Sequence, residues 1–291
     1  MLSFTKVGRS AAALAALASL PAAAADTNAR DFFSAPPGTQ LGVLYLPVTT
    51  ANSFHSQRGD VGDASLDVTA LAYRYVWFTD LCGTLCTPQF IVPAARIDAR
   101  LPGSRGNDAL TGVGDPQVGG TLFFVNHPEQ REYGGLLSLL TLPLGRYDPQ
   151  HADVSPGANR WGATFLLNYT RGLGKNWVAE ASLEAQLYGD NKDYHGAVLS
   201  QKPLYRLQAF LSYDFTPDTY GALRLYHARG GAMTLGGSQL ADTRLSYTQL
   251  GFEAGHWLDK QNQLMVSAAR DVAAENTFRT SQLMLRLVHV Y

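Results

Sequence analysis

One stretch of the chain, residues 179–187, reads AEASLEAQL. In it, apolar Ala and Leu alternate with the polar residues Glu180, Ser182, Glu184 and Gln186. Successive side chains of a β-strand point to opposite faces, whereas a helix repeats every ~3.6 residues. The stretch therefore predicts a strand with one apolar face and one charged face.

The same alternation recurs along the chain. Most of the segments that carry it are longer than the ~5–6 residues of an average soluble strand. Many have Trp or Tyr near an end, as the aromatic girdles of a membrane barrel require. We predict an all-β fold, an antiparallel up-and-down transmembrane β-barrel of about twelve strands. The predicted strands are 41–50, 65–78, 88–101, 115–126, 133–145, 160–171, 177–189, 203–215, 219–229, 242–258, 263–273 and 277–291, with a bulge expected near Thr248 to Leu250.

Composition excludes several classes of protein. The 291 residues are 46% hydrophobic and only 16% charged, whereas soluble domains average about 25% charged residues. Lys and Arg number 23 against 24 Asp and Glu, so no basic excess favours nucleic acid. The chain is too apolar to be disordered, and its two cysteines cannot form a disulfide scaffold.

The N-terminus is typical of a secretory signal peptide. Lys6 and Arg9 precede an Ala/Leu run at residues 11–20, and Ala23 to Ala25 supplies small residues for cleavage before Asp26. The run is shorter than the ~20 residues that span a bilayer. We therefore expect a cleaved signal peptide (1–25), an N-terminal periplasmic segment or lumen plug (26–40) and a transmembrane barrel (41–291) in the outer membrane of a Gram-negative bacterium.

Connection lengths and the C-terminus suggest how the barrel is oriented. Mostly short and mostly long connections alternate, and outer-membrane barrels have short periplasmic turns and long external loops. The last strand places Leu283, Leu285 and Leu287 on one face with His289 and the terminal Tyr291. We interpret Tyr291 as the signal for the barrel-assembly machinery, with outer-membrane lipid around the wall.

Cys82 and Cys86 fall in the one connection on the periplasmic side that is predicted to be long. An oxidising compartment favours a structural disulfide between them. A metal site is the alternative, although no His is near in the sequence. The spacing also differs from a redox Cys-x-x-Cys motif.

The polar face of each predicted strand, opposite its apolar face, is predicted to line the lumen. Both charge signs occur on it, so the charges either pair across a narrow barrel or line a mixed channel, and no ring of one sign selects ions. Apolar and aromatic residues such as Tyr75, Leu166, Phe210 and Tyr226 are predicted beside them. The other lumen-lining candidates are Asp67, Tyr73, Arg96, Asp98, Arg100, Glu180, Glu184, Arg206, Asp214, Arg224, Glu253, Arg270 and Arg286.

Short motifs after the leader carry a family resemblance. They are Arg30-Asp31-Phe32-Phe33 with Pro36-Pro37-Gly38-Thr39, Gly112-Val113-Gly114-Asp115-Pro116, Leu144-Gly145-Arg146-Tyr147 and Gly157-Ala158-Asn159-Arg160-Trp161. In order and spacing they resemble the phenol-degradation MetA-pathway family of transporter-like outer-membrane proteins. The resemblance runs from about Ala29 to the C-terminus. It implies passage or binding of small apolar or aromatic compounds.

The N-terminal segment has two interpretations. Pro36-Pro37-Gly38 alone indicates a stiff turn before the first strand. The alternative is a plug, in which Phe32 and Phe33 contact apolar lumen residues while Arg30 and Asp31 pair with lumen charges. Its richness in Phe favours the plug.

The expected function is an outer-membrane channel or transporter for small hydrophobic or aromatic compounds. A closed structural or surface-binding barrel is the alternative. An outer-membrane lipid hydrolase would need a pair such as His227 and Ser246, together with an orienting group and an oxyanion hole. We predict no enzyme activity and no cofactor or metal site, and we interpret His55, His151, Asp148 and Asp153 as solvated loop residues.

Overall fold

The computed structural model describes residues 27–57, 59–61, 63–81, 83–104 and 106–291. The predicted signal peptide lies outside the described residues. Twelve antiparallel strands form a closed barrel, because β1 pairs with both β2 and β12. The strands are β1 (Gln40–Ala51), β2 (Ser65–Trp77), β3 (Thr84–Arg100), β4 (Gln117–His127), β5 (Glu132–Thr141), β6 (Gly162–Leu173), β7 (Trp177–Tyr188), β8 (Leu204–Thr216), β9 (Thr219–Gly230), β10 (Leu245–Trp257), β11 (Asn262–Glu275) and β12 (Ser281–Val290).

Smaller elements extend the wall or lie in the loops. Thr79–Leu81 extends β2, and Asp108–Val113 extends β4 beyond a break at residues 114–116. One loop sheet contains Asn191–Tyr194, Ala197–Gln201, Met233–Leu235 and Ser238–Gln239, and another contains Phe54–Ser56, Gly59–Val61 and Thr277–Phe278. Two 3-10 helices, Pro128–Gln130 and Pro149–Val154, complete the described elements. No helix in the described residues is long and apolar enough to cross a membrane.

Alternation decides which side chains face inward. On β7 the buried residues are Val178, Glu180, Ser182, Glu184 and Gln186. On the outer surface, large apolar side chains such as Leu183, Leu207 and Leu223 are exposed. The barrel therefore buries polar groups inside and presents apolar groups outside, which is the reverse of a soluble protein.

The predicted fold is confirmed, with local corrections to the strand ends. β5 ends at Thr141 and not at residue 145, because the chain turns away there to form a long loop. β12 begins at Ser281, because Thr277–Phe278 pairs instead with Phe54–Ser56. The bulge expected near Thr248 to Leu250 was wrong, because β10 pairs with β9 in regular register throughout. The extra residue is Val272 on the neighbouring strand β11, since Thr248 is opposite Ala273 and Gln249 is opposite Asp271.

The Cys82 region is a tight hairpin and not a long connection, because Leu81 already pairs with Thr84. Cys86 is a strand residue opposite Thr79, and its thiol is free in the structure. Cys82 lies outside the described residues. The disulfide therefore stays a prediction.

The two ends of the barrel differ. We call the end that carries the hairpins 78–83, 128–131, 174–176, 217–218 and 258–261 the turn end, and Tyr291 also lies there, beside the start of β1. The opposite end, with the connections 52–64, 101–116, 142–161, 189–203, 231–244 and 276–280, is the loop end.

Candidate functional site: the barrel lumen

The lumen has two chemically different arcs. The polar arc is the inward face of β7 to β10. Its buried or half-buried side chains are Glu180, Ser182, Glu184, Gln186, Arg206, Gln208, Ser212, Asp214, Arg224, Gln249 and Glu253. The apolar arc lies on β1 to β6. Its buried apolar side chains are Val43, Tyr45, Ala72, Val76, Ile91, Phe123, Leu137, Leu139 and Leu166. Polar side chains such as Gln89, Thr121 and Asn168 are buried among them. Met265, Met284 and Val288 continue the apolar cluster onto β11 and β12.

Charges in the polar arc are paired within the wall. Glu184 and Arg206 are directly opposite in register, and Arg206 Nη2 lies 2.8 Å from Glu184 Oε2. Gln208 and Gln186 also donate to the Glu184 carboxylate. One strand pair further, Arg224 Nη1 lies 3.7 Å from Glu253 Oε1. Buried charges need such partners because leaving one unpaired is costly.

Residues 27–35 lie inside the barrel, and residues 36–38 are exposed at the turn end, where the Gly38 N–H donates to the Phe78 carbonyl oxygen. Residues 28–30 lie against the polar arc. The backbone N–H of Ala29 donates to Glu253 Oε2 at 2.9 Å, and Asn28 Nδ2 donates to Glu253 Oε1 at 3.0 Å. The backbone N–H of Arg30 donates to Glu180 Oε1 at 2.8 Å. Glu180 and Glu253 thus bind the main chain of the segment as well as facing the lumen.

Arg30 joins the segment to the turn end of the polar arc. Its guanidinium donates to Asp214 Oδ1 at 2.6 Å and to Ser212, and it stacks 4.1 Å above the Tyr220 ring. Arg30 has a φ of 71°, a left-handed conformation that is unusual for a residue with a side chain. The contacts from both its backbone and its side chain hold it there.

Asp31 points the opposite way, to β12 and β2. Arg286 Nη1 donates to Asp31 Oδ1 at 2.6 Å, and Arg74 Nη1 lies 3.6 Å from Asp31 Oδ2. All three side chains are largely buried. The adjacent charges of Arg30 and Asp31 therefore attach the segment to opposite sides of the lumen.

Phe32 enters the apolar arc. It packs with the apolar-arc residues and makes an edge contact with Phe123 at 6.3 Å. A Cβ at Gly135 would come within 3.2 Å of the Phe32 ring, so glycine at that position leaves room for it. Phe33 lies 5.0 Å from Tyr133, nearer the turn end. The segment is thus chemically complementary to the lumen, because it makes polar contacts with the polar arc and places an aromatic ring on the apolar arc.

The connection 142–161 lies across the loop end. Val154 packs on Leu66 and Ile97, which belong to β2 and β3. Ala152 packs on Tyr194 and Met233, in the loop sheet above β7 to β9. One connection therefore contacts both sides of the barrel mouth and covers it.

The family-like motifs hold this connection in place. Asp115 accepts from the backbone N–H of Gly145 at 2.8 Å and from that of Ala158 at 2.7 Å. A Cβ on Gly145 would lie 2.6 Å from the carbonyl carbon of Gly114, and one on Gly157 would lie 2.8 Å from that of Gly145. These sequence-distant glycines are needed because three backbone segments meet at the Asp115 carboxylate.

A titratable pair lies on this cover, outside the membrane-spanning strands. His195 Nε2 is 3.3 Å from Asp153 Oδ2, and this hydrogen bond raises the pKa of His195 above its usual value while partial burial opposes the rise. Tyr194 donates to the same carboxylate, and burial raises its pKa. The Asp153 carboxylate therefore stabilises the protonated form of His195.

Seven of the twelve charged lumen candidates, counting Glu253, face inward. They are Glu180, Glu184, Arg206, Asp214, Arg224, Glu253 and Arg286.

The prediction was wrong for a group of charges near the loop end. Asp67, Arg96, Asp98 and Arg100 face outward, opposite the buried Leu66, Ile97 and Ala99. Arg96 contacts Asp98 at 3.4 Å, and Arg100 contacts Asp63 at 3.8 Å. We infer that these strands extend beyond the lipid there, so the outer face is hydrated while the inner face packs against Val154.

The prediction that Tyr73 and Arg270 face the lumen was also wrong. Tyr73, like Tyr75, belongs to an outer aromatic group with Phe90 and Tyr291 at the turn end. An amphipathic ring suits the lipid–water boundary as well as a lumen. Arg270 is exposed on the outer face, and the next residue, Asp271, is the buried charge. Because Arg270 and Asp271 are adjacent and both charged, the sequence did not indicate which of them faces inward.

Arg74 and Asp271 were missed as inward charges. Arg74 donates to Gln89 Oε1 at 2.6 Å and contacts Asp31, while Asp271 accepts from Gln249 at 3.1 Å. The sequence carried no clear signal for Arg74, because a charge on the lipid face costs little near the end of a membrane strand, where Arg74 lies.

The His227–Ser246 pair does not form. His227 is opposite Thr248, with 3.0 Å between His227 Nδ1 and Thr248 Oγ1, and Ser246 is opposite Arg229. Within the described residues, no three His, Cys, Asp or Glu side chains are placed to hold a metal ion together.

Comparisons with known proteins agree with this architecture. An outer-membrane channel from Pseudomonas putida F1 has a similar solved structure, with a TM-score of 0.85 and 27% identity over 91% of this chain and 100% of that one. The transport unit of the autotransporter AIDA-I from Escherichia coli shares the fold alone, with a TM-score of 0.59 and 7% identity over 97% and 99% of the chains. No curated protein matches the chain.

A sequence profile extends this relationship to a named family. The profile described as "Putative MetA-pathway of phenol degradation" matches residues 49–287. That range includes most of the barrel wall and the connection across its loop end. The chain belongs to this family of outer-membrane β-barrel proteins.

Proposed function

We propose that this barrel is an outer-membrane channel for small hydrophobic or aromatic compounds, and that residues 27–35 regulate passage as a lumen plug. The observation that carries the proposal is the division of the lumen into a polar arc and an apolar arc. A solute with an apolar ring and one polar group can contact both arcs at once. A small ion would contact only one.

The similarity to an outer-membrane channel and the family membership support this proposal. The filled lumen argues against a wide pore, since both the segment and the connection 142–161 lie in the path. A twelve-stranded barrel is also narrower than the 16–18-stranded porins. A closed structural barrel is the alternative.

The first test measures solute selectivity. Refolded protein in vesicles with a lipopolysaccharide outer leaflet, which slows background entry, should admit phenol faster than a charged solute of similar size. The variant Leu139→Thr adds a hydroxyl to the apolar arc and should reduce this preference. Its control is Leu140→Thr, because Leu140 faces outward and is 43% exposed. Equal entry of all solutes contradicts the proposed selectivity, and entry equal to that of protein-free vesicles supports a closed barrel.

The second test addresses the plug. Deleting residues 27–35 should raise the single-channel conductance, because the segment fills the turn half of the lumen. Ser34 Oγ lies 2.7 Å from Asn126 Oδ1, so cysteines at these two positions can be joined by a short bis-methanethiosulfonate cross-linker, whose two disulfides a reductant cleaves. With Cys82 and Cys86 replaced by Ser, cross-linking should lower the conductance and reductant should restore it. Each single-cysteine variant is the control. Unchanged conductance after the deletion would overturn the plug.

A further inference from the structure

Three arginines on the outer surface near the loop end have no partner. Arg229 on β9, Arg270 on β11 and Arg244, which precedes β10, are all exposed. Among the described residues, none of the three guanidinium groups takes part in an ion pair or a hydrogen bond. His227, also exposed, lies two residues before Arg229 on the same outward face.

Other exposed arginines of the chain contrast with these three. Arg96 contacts Asp98, and Arg171 donates to Glu132 at 2.5 Å. Arg146 donates to the Thr111 carbonyl oxygen at 2.7 Å. An unpartnered guanidinium in this chain is therefore unusual, and three of them occur on adjacent strands.

The position of the three arginines relative to the apolar belt suggests what they meet. Arg229 is opposite Tyr205, an outward ring that is 59% exposed. Arg270 is opposite Leu250, which is 49% exposed on the same face. Tyr marks the headgroup level of a membrane protein, and long arginine side chains reach from the apolar zone to that level. The arginines thus lie where lipid headgroups begin.

We propose that Arg229, Arg244 and Arg270 form a binding site for the phosphate groups of membrane lipids at the loop end. The guanidinium fork matches phosphate geometry, and the flanking apolar surface accommodates the acyl chains. One acid on this face is Glu275, which is opposite Ser246 and accepts from Gln57 at 2.6 Å. Asp242 lies two residues before Arg244. The patch therefore keeps a net positive charge.

The test uses full-length barrel in a neutral detergent and native mass spectrometry. The probes are diphosphoryl lipid A, the same lipid after dephosphorylation, and inorganic phosphate. The wild-type protein should prefer the diphosphorylated lipid over both other probes, and salt should weaken the preference. Replacing all three arginines by Gln should lower the affinity for diphosphoryl lipid A by about a hundredfold, because each cation contributes about fivefold.

The matched control is Arg96→Gln, which removes an exposed but paired arginine near the same end and should leave lipid binding unchanged. Heat-modifiable gel mobility checks that each variant is folded. Equal binding of phosphorylated and dephosphorylated lipid by the wild type would overturn the proposal. So would equal binding of diphosphoryl lipid A by the folded triple variant, or binding of inorganic phosphate with the affinity of the lipid.

Discussion

The polar arc and the apolar arc face the same lumen, yet each is stabilised in a different way. In the polar arc, the cross-strand pair Glu184 and Arg206 satisfies two buried charges. In the apolar arc, Leu137 and Leu166 occupy the equivalent cross-strand relation, and both are almost fully buried. The polar arc depends on partners of opposite charge, whereas the apolar arc depends on close packing.

The difference explains how one short segment can fill the lumen. A chain without strand neighbours has unpaired backbone groups, and each must be satisfied when it is buried. Glu180 and Glu253 accept the N–H groups of Arg30 and Ala29 in the segment. The apolar arc offers no such acceptors to the segment but takes up Phe32. Each arc thus binds a different part of the segment.

The largest loss of stability should come from breaking the charged pair of Glu184 and Arg206. Arg206→Leu leaves the Glu184 carboxylate buried without its cation, and we expect a loss of about 3–5 kcal/mol in the free energy of unfolding. Urea unfolding in micelles measures it. The double variant Glu184→Leu with Arg206→Leu should recover most of the loss, because no charge is then left unpaired. A double variant as unstable as the single one would show that the polar arc needs the pair itself.

The next effect concerns packing in the apolar arc. Leu166→Ala should cost about 2–5 kcal/mol, since Leu166 is fully buried and its removal leaves a cavity near Phe32. Leu167→Ala is the control, because this neighbour faces outward and is 48% exposed, so lipid fills the space. The same unfolding experiment compares the two variants. Equal losses would mean that the apolar arc is not closely packed.

A smaller loss of stability is expected at Asp31, through which the segment contacts Arg286 and Arg74. Asp31→Asn removes the charge that Arg286 and Arg74 share, and a hydrogen bond to a charged group contributes about 1.5–3 kcal/mol. The loosened segment should be cut by trypsin after Arg30 faster than in the wild type. Asp67→Asn should leave the cleavage rate unchanged, because Asp67 is exposed on the outer face. An unchanged rate in Asp31→Asn would indicate that Arg30 alone holds the segment.

Sequence reasoning succeeded where a strand runs wholly through lipid. On β7 and β8 the alternation has only one interpretation, and Glu180, Glu184 and Arg206 face inward as predicted. It failed for Arg96 and Asp98 because the polar face of a strand that extends past the lipid is the outer one. Whether a polar side chain faces inward depends on whether lipid or water surrounds the strand there, and the alternation of polar and apolar residues does not show which.

Contacts between distant parts of the chain could not be predicted at all. The Arg30–Asp214 bond joins residues 184 positions apart, and several acids in the sequence were equally suitable partners. Likewise, the Gly-Asp-Pro motif lies at the start of the predicted strand 115–126, and nothing in it indicated that Asp115 would bind the backbone of Gly145 and Ala158. Pairing in three dimensions selects one partner among many with the same chemistry.

The smallest effect is expected at His195, a charge pair outside both arcs. Its hydrogen bond to Asp153 raises the pKa of His195, so the protonated form stabilises the folded loop. This stabilisation is fully present below the unfolded pKa of about 6.5 and is lost as the pH rises through the higher folded pKa. The His195 side chain is 37% exposed, so solvent screening limits the gain to about 0.2–1 kcal/mol. NMR titration should show the pKa of His195 falling in Asp153→Asn, with His227, which contacts Thr248 and no acid, as the internal reference. If the pKa of His195 stays unchanged in that variant, the hydrogen bond is not the cause of its shift.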